Sequence, residues 1–543
     1  MKRIMRNKKY LYVLAVGLIV LITPFSCKKG FLNQSDSSNP TEQVLFNKAE
    51  DGIALVNAIY DTYQNADLLK KSLWYYANFQ SHDFFNWGND RFYNTYAIPS
   101  TFGGIQVFWQ RAYIGIARAN SAIEILKTMK EKGVLTEALA NRLTGEVYFL
   151  RGMTYYYLAS SFGGVPLELS NGANDGLKPR SSQTEVFTQV EADLKIAAEL
   201  LPWKEDYAAT ELGRATKGAA LGYLGSSQMW LKKYTEALAS FNQLNGKYSL
   251  LPRFIDIHEF DKENNAESLF EVQFIAEGTQ SWGGGNEVAW IGSFGMPEEV
   301  SNFGYDYGNK GLYDGFQAGD LRKQATIIGP GDINPSPAII AKGGIKSYPL
   351  VIAGFASTDA AVKAKYTGVD GNIINTCGTV ARPWVGTDNS IPRSGYYCEK
   401  MWRDPTLDGN SGTSTIFGAQ NQILLRFGEI LLSKAECQAR TGDNAGALAT
   451  LKVLRDRAFG GTAPAVFMSE GKVITDPLQM IYHEYRHELS GEYSTFYNLR
   501  RAGVATSFIQ EVYNISIPAG RELYPIPQYE IGLNPNLVQN PGY

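Results

Sequence analysis

The sequence predicts an all-α fold, a stack of about four helix pairs that carries a large loop-rich lobe. Three observations lead there. Arg142 to Leu169 opens with Val147, Leu150, Arg151, Thr154, Tyr155 and Leu158 at spacings of three and four, the period of a helix face. Two later stretches each read as helix, short turn, helix. Between Gly246 and Gln420 sustained periodicity gives way to Gly, Pro, Asn, Asp and aromatic residues.

Residues 1–26 read as a targeting segment and stay outside the fold. Lys2, Arg3, Arg6, Lys8 and Lys9 form a basic head, and Leu11 to Ile22 is an unbroken apolar run. That run is too short for a permanent membrane helix and suits a signal-peptide core. Ser26-Cys27 follows where cleavage falls, so the segment resembles a bacterial lipoprotein signal with diacylglycerol carried on Cys27. Pro24 and Phe25 depart from that pattern, standing where such signals usually carry Leu and a small residue.

Cleavage after residue 26 leaves 517 of the 543 residues, with 46 Lys and Arg against 54 Asp and Glu, a net charge of −8. No basic stripe tracks a phosphate backbone, which argues against nucleic acid as a partner. Cys377, Cys398 and Cys437 remain after Cys27, an odd set that allows at most one disulfide. Cys437, in a helical stretch, reads as a small buried residue.

From Gln34 to Thr41 the composition is that of a tether. Ile53, Val56, Ile59, Tyr60 and Tyr63 then mark a first helix, and Ile116, Ala119, Asn120, Ile123 and Leu126 a second ending before Gly133. The Arg142 helix follows. Tyr148, Tyr156 and Tyr157 on its other side predict neighbours all round, and Gly163, Gly164 and Pro166 stop it. Glu185 to Leu201 is the fourth, ended by Pro202. Ala215 to Leu231 and then Tyr234, Ala237 and Phe241 reproduce the turn aromatic, small packing residue and apolar anchor of a tetratricopeptide repeat. Leu425 to Arg440, with Ala447 to Ala458, repeats the arrangement. No such pair buries its own face, so the pairs must stack.

The irregular stretch includes WGGGNEVAWIGSFGMPEEVSNFGYDYG from Trp282. Loops this long are functional or disordered, and the density of rings disfavours disorder. The expected organisation is a helical body at about 42–247 and 421–510, a loop-rich lobe at about 248–420, and a tail at 522–543. Pro525, Pro527, Pro535 and Pro541 predict that the tail is extended and packed against the body.

The Cys start, the helix ending in Phe-Gly-Gly-Val-Pro, the Leu499-Arg500-Arg501 segment and the closing Tyr-Pro-Ile-Pro…Asn-Pro-Asn-Leu…Gln-Asn-Pro-Gly-Tyr543 together resemble the SusD/RagB-like family across essentially the whole mature chain. The resemblance implies an outer-membrane lipoprotein that binds an oligosaccharide without chemistry or cofactor. It also implies a SusC-like TonB-dependent transporter as the partner that receives the glycan. The alternative is a helical-repeat scaffold that binds a protein at the cell surface.

One motif points elsewhere. His483-Glu484-Tyr485-Arg486-His487 reads H-E-x-x-H, the spacing that sets two zinc ligands on one helix face. No third ligand follows: Ser490 and Tyr493 stand where a metzincin needs Gly and His, and Glu488 points sideways from the His face. The expectation is no metal, with His483 and His487 replacing surface charges on a charged helix.

The candidate site is aromatic. Sugars present apolar C–H faces inside a rim of hydroxyls, so they need flat rings flanked by amides and charges. Trp74 to Tyr93 is dense in both. Most of its rings compete with a plain core reading, because aromatics carry most core area. Trp87 is the exception, since Asn86, Gly88, Asn89 and Asp90 bracket it as an exposed tip. Asp83, Asn89 and Arg91 join it, and the resemblance adds Trp282, Trp290, Tyr305 and Tyr307 from the lobe, with Arg393 and Tyr396 as weaker additions.

Overall fold

The computed structural model of the chain describes residues 46–65, 67–86, 90–172, 176–259, 261–274, 306–329, 396–401 and 420–543, with Gly295, Asp332, Pro335 and Ser336. The targeting segment, Cys27 and the tether lie outside the described residues, as does Cys377. The architecture below is that of the compact unit Gly52–Tyr543.

The chain enters through α1 (Ala49–Tyr60), a 3-10 turn, the π-helical segment Asp67–Trp74 and α2 (Tyr75–Phe79), then reaches strand β1 (Phe84–Asn86). The long helices follow: α3 (Gly103–Glu131), α4 (Glu137–Phe162), α5 (Gln183–Leu200), α6 (Lys217–Trp230) and α7 (Tyr234–Asn242). Strands β2 (Ser268–Val272) and β3 (Asp306–Gly308), helices α8 (Lys310–Gly315) and α9 (Arg322–Thr326), and strands β4 (Ile327–Ile328) and β5 (Tyr397–Cys398) punctuate the irregular stretch. Strand β6 (Gln422–Arg426) leads into α10 (Phe427–Arg440) and α11 (Asn444–Ala458). The hairpin β7 (Met468–Ser469) and β8 (Lys472–Val473) precedes α12 (Pro477–Leu489), α13 (Thr495–Ala502), α14 (Ala505–Tyr513) and α15 (Gln528–Leu533).

The predicted helical stack is present, and α4 is its centre. It is buried on nearly every side between α3 and α5, as rings on both faces required. Thr136 caps its first turn by accepting from Leu139 N, and Gly163 leaves it at φ 77°, a left-handed conformation that favours glycine. Hydroxyls satisfy one another across the stack: Tyr63 with Thr154, and Tyr157 with Tyr223, both at 2.9 Å. In the repeat pair α6–α7, a Cβ at Gly225 would come within 2.3 Å of the Phe241 ring, so the glycine makes room for that ring between the two helices.

Three expectations need correction. The stretch from Leu425 is not helical at once: Leu425 and Arg426 end β6, which pairs antiparallel with β2 and so joins the irregular stretch to the α10–α11 pair. The other ladders, β1–β3, β4–β5 and β7–β8, are also two-stranded and antiparallel. The C-terminal tail is not wholly extended, because Pro527 starts the short helix α15 as its N-cap, a position where its missing N–H costs nothing. The tail packs as expected: Tyr524 N donates to Ser161 O, and Arg180 reaches Phe162 O and Asn540 Oδ1 together.

The third correction is the largest. Helix α12, expected to carry surface charges, is buried from Ile481 to Leu489. Glu488 accepts from Arg322 at 3.0 Å, Arg426 at 2.7 Å and Arg457 at 2.5 Å, and Glu484 accepts from Arg322 at 2.6 Å and Arg455 at 2.9 Å. Glu492 takes Arg426 at 2.7 Å and Lys400 at 2.6 Å, Glu267 takes Arg426 at 2.8 Å, and Asp320 takes Arg322 at 2.6 Å. Lys400, Arg426 and Arg457 also crowd the Phe254 ring, 4.9–5.5 Å from its centroid. Five cations therefore meet five carboxylates in the interior.

Removing one member strands its partners. Glu488→Ala leaves Arg322, Arg426 and Arg457 short of a counter-charge, and the expected cost is about 3–5 kcal/mol. Urea unfolding would read this as a lower midpoint at an unchanged slope. A midpoint within error of the parent protein would show that the network contributes nothing to stability.

Candidate functional site

Sequence reasoning put the site where the early aromatic segment meets the irregular stretch. The described residues bring those two regions together. Strand β1 pairs with β3 in the register Phe84 to Gly308, Phe85 to Tyr307 and Asn86 to Asp306. Gly308 N then donates to Tyr396 O at 2.8 Å, which adds the β5 segment to the same edge. Residues more than two hundred positions apart meet here.

What lies under this edge is polar and closed. Asp306 is buried and accepts from Lys70 at 3.0 Å, Asn86 Nδ2 at 2.6 Å and Tyr75 OH at 3.3 Å. Burial pushes the Lys70 amine down while Asp306 pulls it back up. Asn94 closes the stem of the following loop, accepting from Asn86 N at 3.3 Å and donating to Phe84 O at 3.0 Å. Burial pushes the Asp90 carboxyl up to about 6, against the pull of Lys71. Near neutral pH such a carboxyl is mostly ionised and accepts hydrogen bonds, as a hydroxyl partner would need.

Of the sequence candidates, Arg91 is exposed, at the start of a 3-10 turn beside this loop. Trp87, Asn89, Trp282, Trp290, Tyr305 and Arg393 lie outside the described residues. Asp83 is a correction. It is fully buried and accepts from Arg486 Nε at 2.7 Å, Ser490 Oγ at 2.7 Å and Tyr513 OH at 2.8 Å, a set that leaves it no face for a ligand. Tyr307 and Tyr396 are corrected as well: both are buried, Tyr307 against Phe85 and Tyr396 against Tyr313. Among the described residues of this segment, Trp74, Tyr75, Tyr76, Phe79, Phe84, Phe85 and Tyr93 follow the core reading and are closed to solvent.

One ring was missed. Tyr313, on α8, is half-buried, with the Lys323 ammonium 3.6 Å from its centroid and its hydroxyl donating to Asp332 at 3.1 Å. It sits between Gly311 and Asp314-Gly315, the same bracketing that singled out Trp87, so the signal was there to be read.

The H-E-x-x-H residues are not arranged for zinc chemistry. Glu484, which would have to face a metal-bound water as general base, is held between Arg322 and Arg455. His483 Nδ1 lies 2.9 Å and His487 Nε2 3.4 Å from the Ser469 hydroxyl, and the two rings pack on Phe508 and Phe316. Both are buried, where surface positions were expected. Among the described residues no group of three His, Cys, Asp or Glu is placed to hold a metal ion. Cys398 and Cys437 are buried free thiols.

The architecture is a stack of helix pairs in which the segments 306–308 and 396–398 join β1 along one edge. Comparison with known proteins gives that class a name. The chain matches the SusD family over residues 257–543, and residues 31–229 match a second family described as "Starch-binding associating with outer membrane". A SusD-like protein, P2, from Formosa agariphila is 25% identical over 478 residues, covering 83% of each chain. A SusD homolog from Bacteroides thetaiotaomicron superposes with a TM-score of 0.71 at 20% identity, covering 94% of this chain and 100% of its own. Surface glycan-binding protein A from the same organism, solved in complex with laminarihexaose, gives 0.67 at 20% identity, covering 90% and 99%. This chain belongs to the SusD family.

The buried imidazoles carry a pH signature. Burial pushes His82 and His483 each down to about 3, so the folded state holds them neutral while the unfolded state binds protons below about 6.5. Stability should therefore fall as pH drops from about 6.5, by up to about 1.4 kcal/mol per unit for each. Asp90 at about 6 and Glu263 at about 7 run the other way, since raised carboxyls favour the folded state on protonation. The difference between parent and variant isolates the imidazole: His483→Gln should flatten the stability slope between pH 6.5 and 4.5 by about that amount. Parallel slopes by chemical denaturation would rule the assignment out.

Proposed function

We propose that the protein is a cell-surface lipoprotein that captures a neutral oligosaccharide and hands it to a SusC-like TonB-dependent transporter, without catalysing a reaction. The observation that carries this reading is the β1–β3 pairing. It joins Phe84–Asn86 to Asp306–Gly308 on the helical body, which supports a site built from the segments that adjoin these two strands. Membership of the SusD family, and a fold shared with a protein solved in complex with laminarihexaose, support the same reading. In it the helical body comprises about 42–247 and 421–510, the lobe about 248–420, and the tail 522–543 locks the body. Trp87, Asn89, Arg91, Trp282, Trp290, Tyr305 and Arg393 remain the proposed contacts, with Tyr313 added. Asp83, Tyr307 and Tyr396 act from below by holding the edge in place.

An exposed ring on a Gly/Asn-flanked tip leaves apolar area uncovered until a sugar face stacks on it. Trp87→Ala should weaken binding at least about thirtyfold, about 2 kcal/mol, and leave the melting temperature nearly unchanged. Titration calorimetry against laminarin and starch oligosaccharides, with thermal melts of the same samples, reads both quantities. A variant that unfolds, or binds normally, places Trp87 outside the site.

Cys27 is the proposed lipid attachment point, since stable anchoring takes more than one acyl chain and lipoprotein processing supplies them. Cys27→Ala should move the protein from the membrane and detergent phase into the soluble fraction. Full retention on membranes would refute the anchor.

A further inference from the structure

A second concave surface, with no residue in common with the β1–β3 edge, runs between the outer face of α3 and the C-terminal helix α15. It is an open groove of about 730 Å³, inside the usual range for clefts that hold small ligands. One wall is an α3 stripe at helical spacing: Trp109, Tyr113 and Ile114, with the Trp109 and Tyr113 rings 5.2 Å apart at 38°. The facing wall is Tyr529 and Leu533, one turn apart on α15.

Three of these side chains are left in solvent where a folded chain usually covers them. Tyr529 is 54% exposed, Leu533 60% and Ile114 44%. Core packing does not require them there, since α15 has no buried residue. The helix is held instead by its ends, through Gln528 N donating to Ser100 O and Asn534 Nδ2 donating to Lys178 O, both at 2.8 Å. The tail thus presents a ring and an aliphatic residue outward on a braced turn.

Charge narrows the ligand. The groove's Lys178 is paired with Glu168 at 3.0 Å, so its cation is already matched. Glu530 faces Gln110 Nε2 at 3.4 Å, and partial burial raises its carboxyl above the ordinary range. Among the described residues, no unmatched cation lines the groove to draw a phosphate, a sulfate or an acidic polymer. What it offers is flat and apolar area flanked by an amide and carboxylates, the complement of a neutral ring with C–H faces and hydroxyl edges. The open sides let a chain run on past the groove.

We infer that the α3–α15 groove is a second oligosaccharide subsite, with Tyr529 as its stacking platform and Gln110 and Glu530 as hydroxyl partners. The inference rests on the reading of the protein as a binder of neutral glycan. Two separated sites on one chain would hold a long polysaccharide by two points and raise its retention by effective concentration.

Calorimetry on the purified full chain with laminarihexaose and maltohexaose tests it. The expected stoichiometry is two for the hexaose bound, falling to one in Tyr529→Ala and to one in Trp87→Ala. Tyr529 is exposed, so its replacement leaves the fold intact, which a thermal melt verifies. Affinity gels containing laminarin or starch should show retardation reduced by each variant and abolished in the double variant. A stoichiometry of one that persists in Tyr529→Ala and disappears in Trp87→Ala overturns the groove and leaves the proposed function standing. A single site lost in Tyr529→Ala and kept in Trp87→Ala upholds the groove and overturns the β1–β3 assignment. No binding of either hexaose, with no retardation in either gel, overturns both. Loss of a co-purifying transporter in Tyr529→Ala, with the hexaose stoichiometry unchanged, assigns the groove to a protein instead and overturns the sugar subsite.

Discussion

Helix α12 carries acidic side chains into the interior at Glu484 and Glu488, and Glu492 follows three residues after its end. Each such charge costs several kcal/mol to desolvate, and only a cation in contact recovers that cost. The five cations come from four separate places in the chain: Arg322 on α9, Lys400 after β5, Arg426 at the end of β6, and Arg455 and Arg457 on α11. The constraint is all-or-none. A lobe segment docked one residue out of register would leave a guanidinium and a carboxylate buried without each other. The network's worth therefore lies less in net stability than in admitting one arrangement of the irregular stretch on the helical body.

A second polar layer does the same at the opposite side of α12. Arg486 joins Asp83, Glu470 and Tyr513, residues from the early segment, the β7–β8 hairpin and α14. Trp74 Nε1 donates to Gly491 O at 2.8 Å, and Asn78 both donates to Glu492 O and accepts from Gly491 N. The early aromatic segment is thus fixed to the end of α12 through side chains, before β1 begins. The position of β1 follows from contacts made more than four hundred residues away in sequence.

The helical body could be read from the sequence because its signals are local. The period of the Arg142 helix, the Gly163 stop, Pro202 and the Tyr234–Ala237–Phe241 spacing each depend on a few neighbouring residues, and each element appears within a few residues of its predicted bounds. Strand β6 escaped because Gln-Ile-Leu-Leu-Arg is too short an apolar run to separate strand from helix, and what decides it is the distant partner β2. Helix α12 misled for a related reason. A run of His, Glu and Arg looks like a solvated face unless the counter-charges are known, and those of its carboxylates lie at positions 322, 400, 426, 455 and 457.

The same limit governs the site. Asp83 carried every local mark of a ligand contact, a carboxylate among rings and amides, yet Arg486, Ser490 and Tyr513 enclose it. Rings in this family of helices have two uses that composition does not separate: filling the space between helices and covering a bound ring. What separates them is backbone context. Trp74, Tyr75 and Tyr76 sit on helical segments whose neighbours are also apolar, so each ring has a wall to meet. Tyr313 sits among glycines and an aspartate, with the Tyr396 ring and the Lys323 ammonium against it, and it stays half-open. Tyr529 stays open on a helix with nothing buried at all. How far a ring stays open in this chain therefore follows from what flanks it, turn formers beside Tyr313 and a helix with no buried residue around Tyr529.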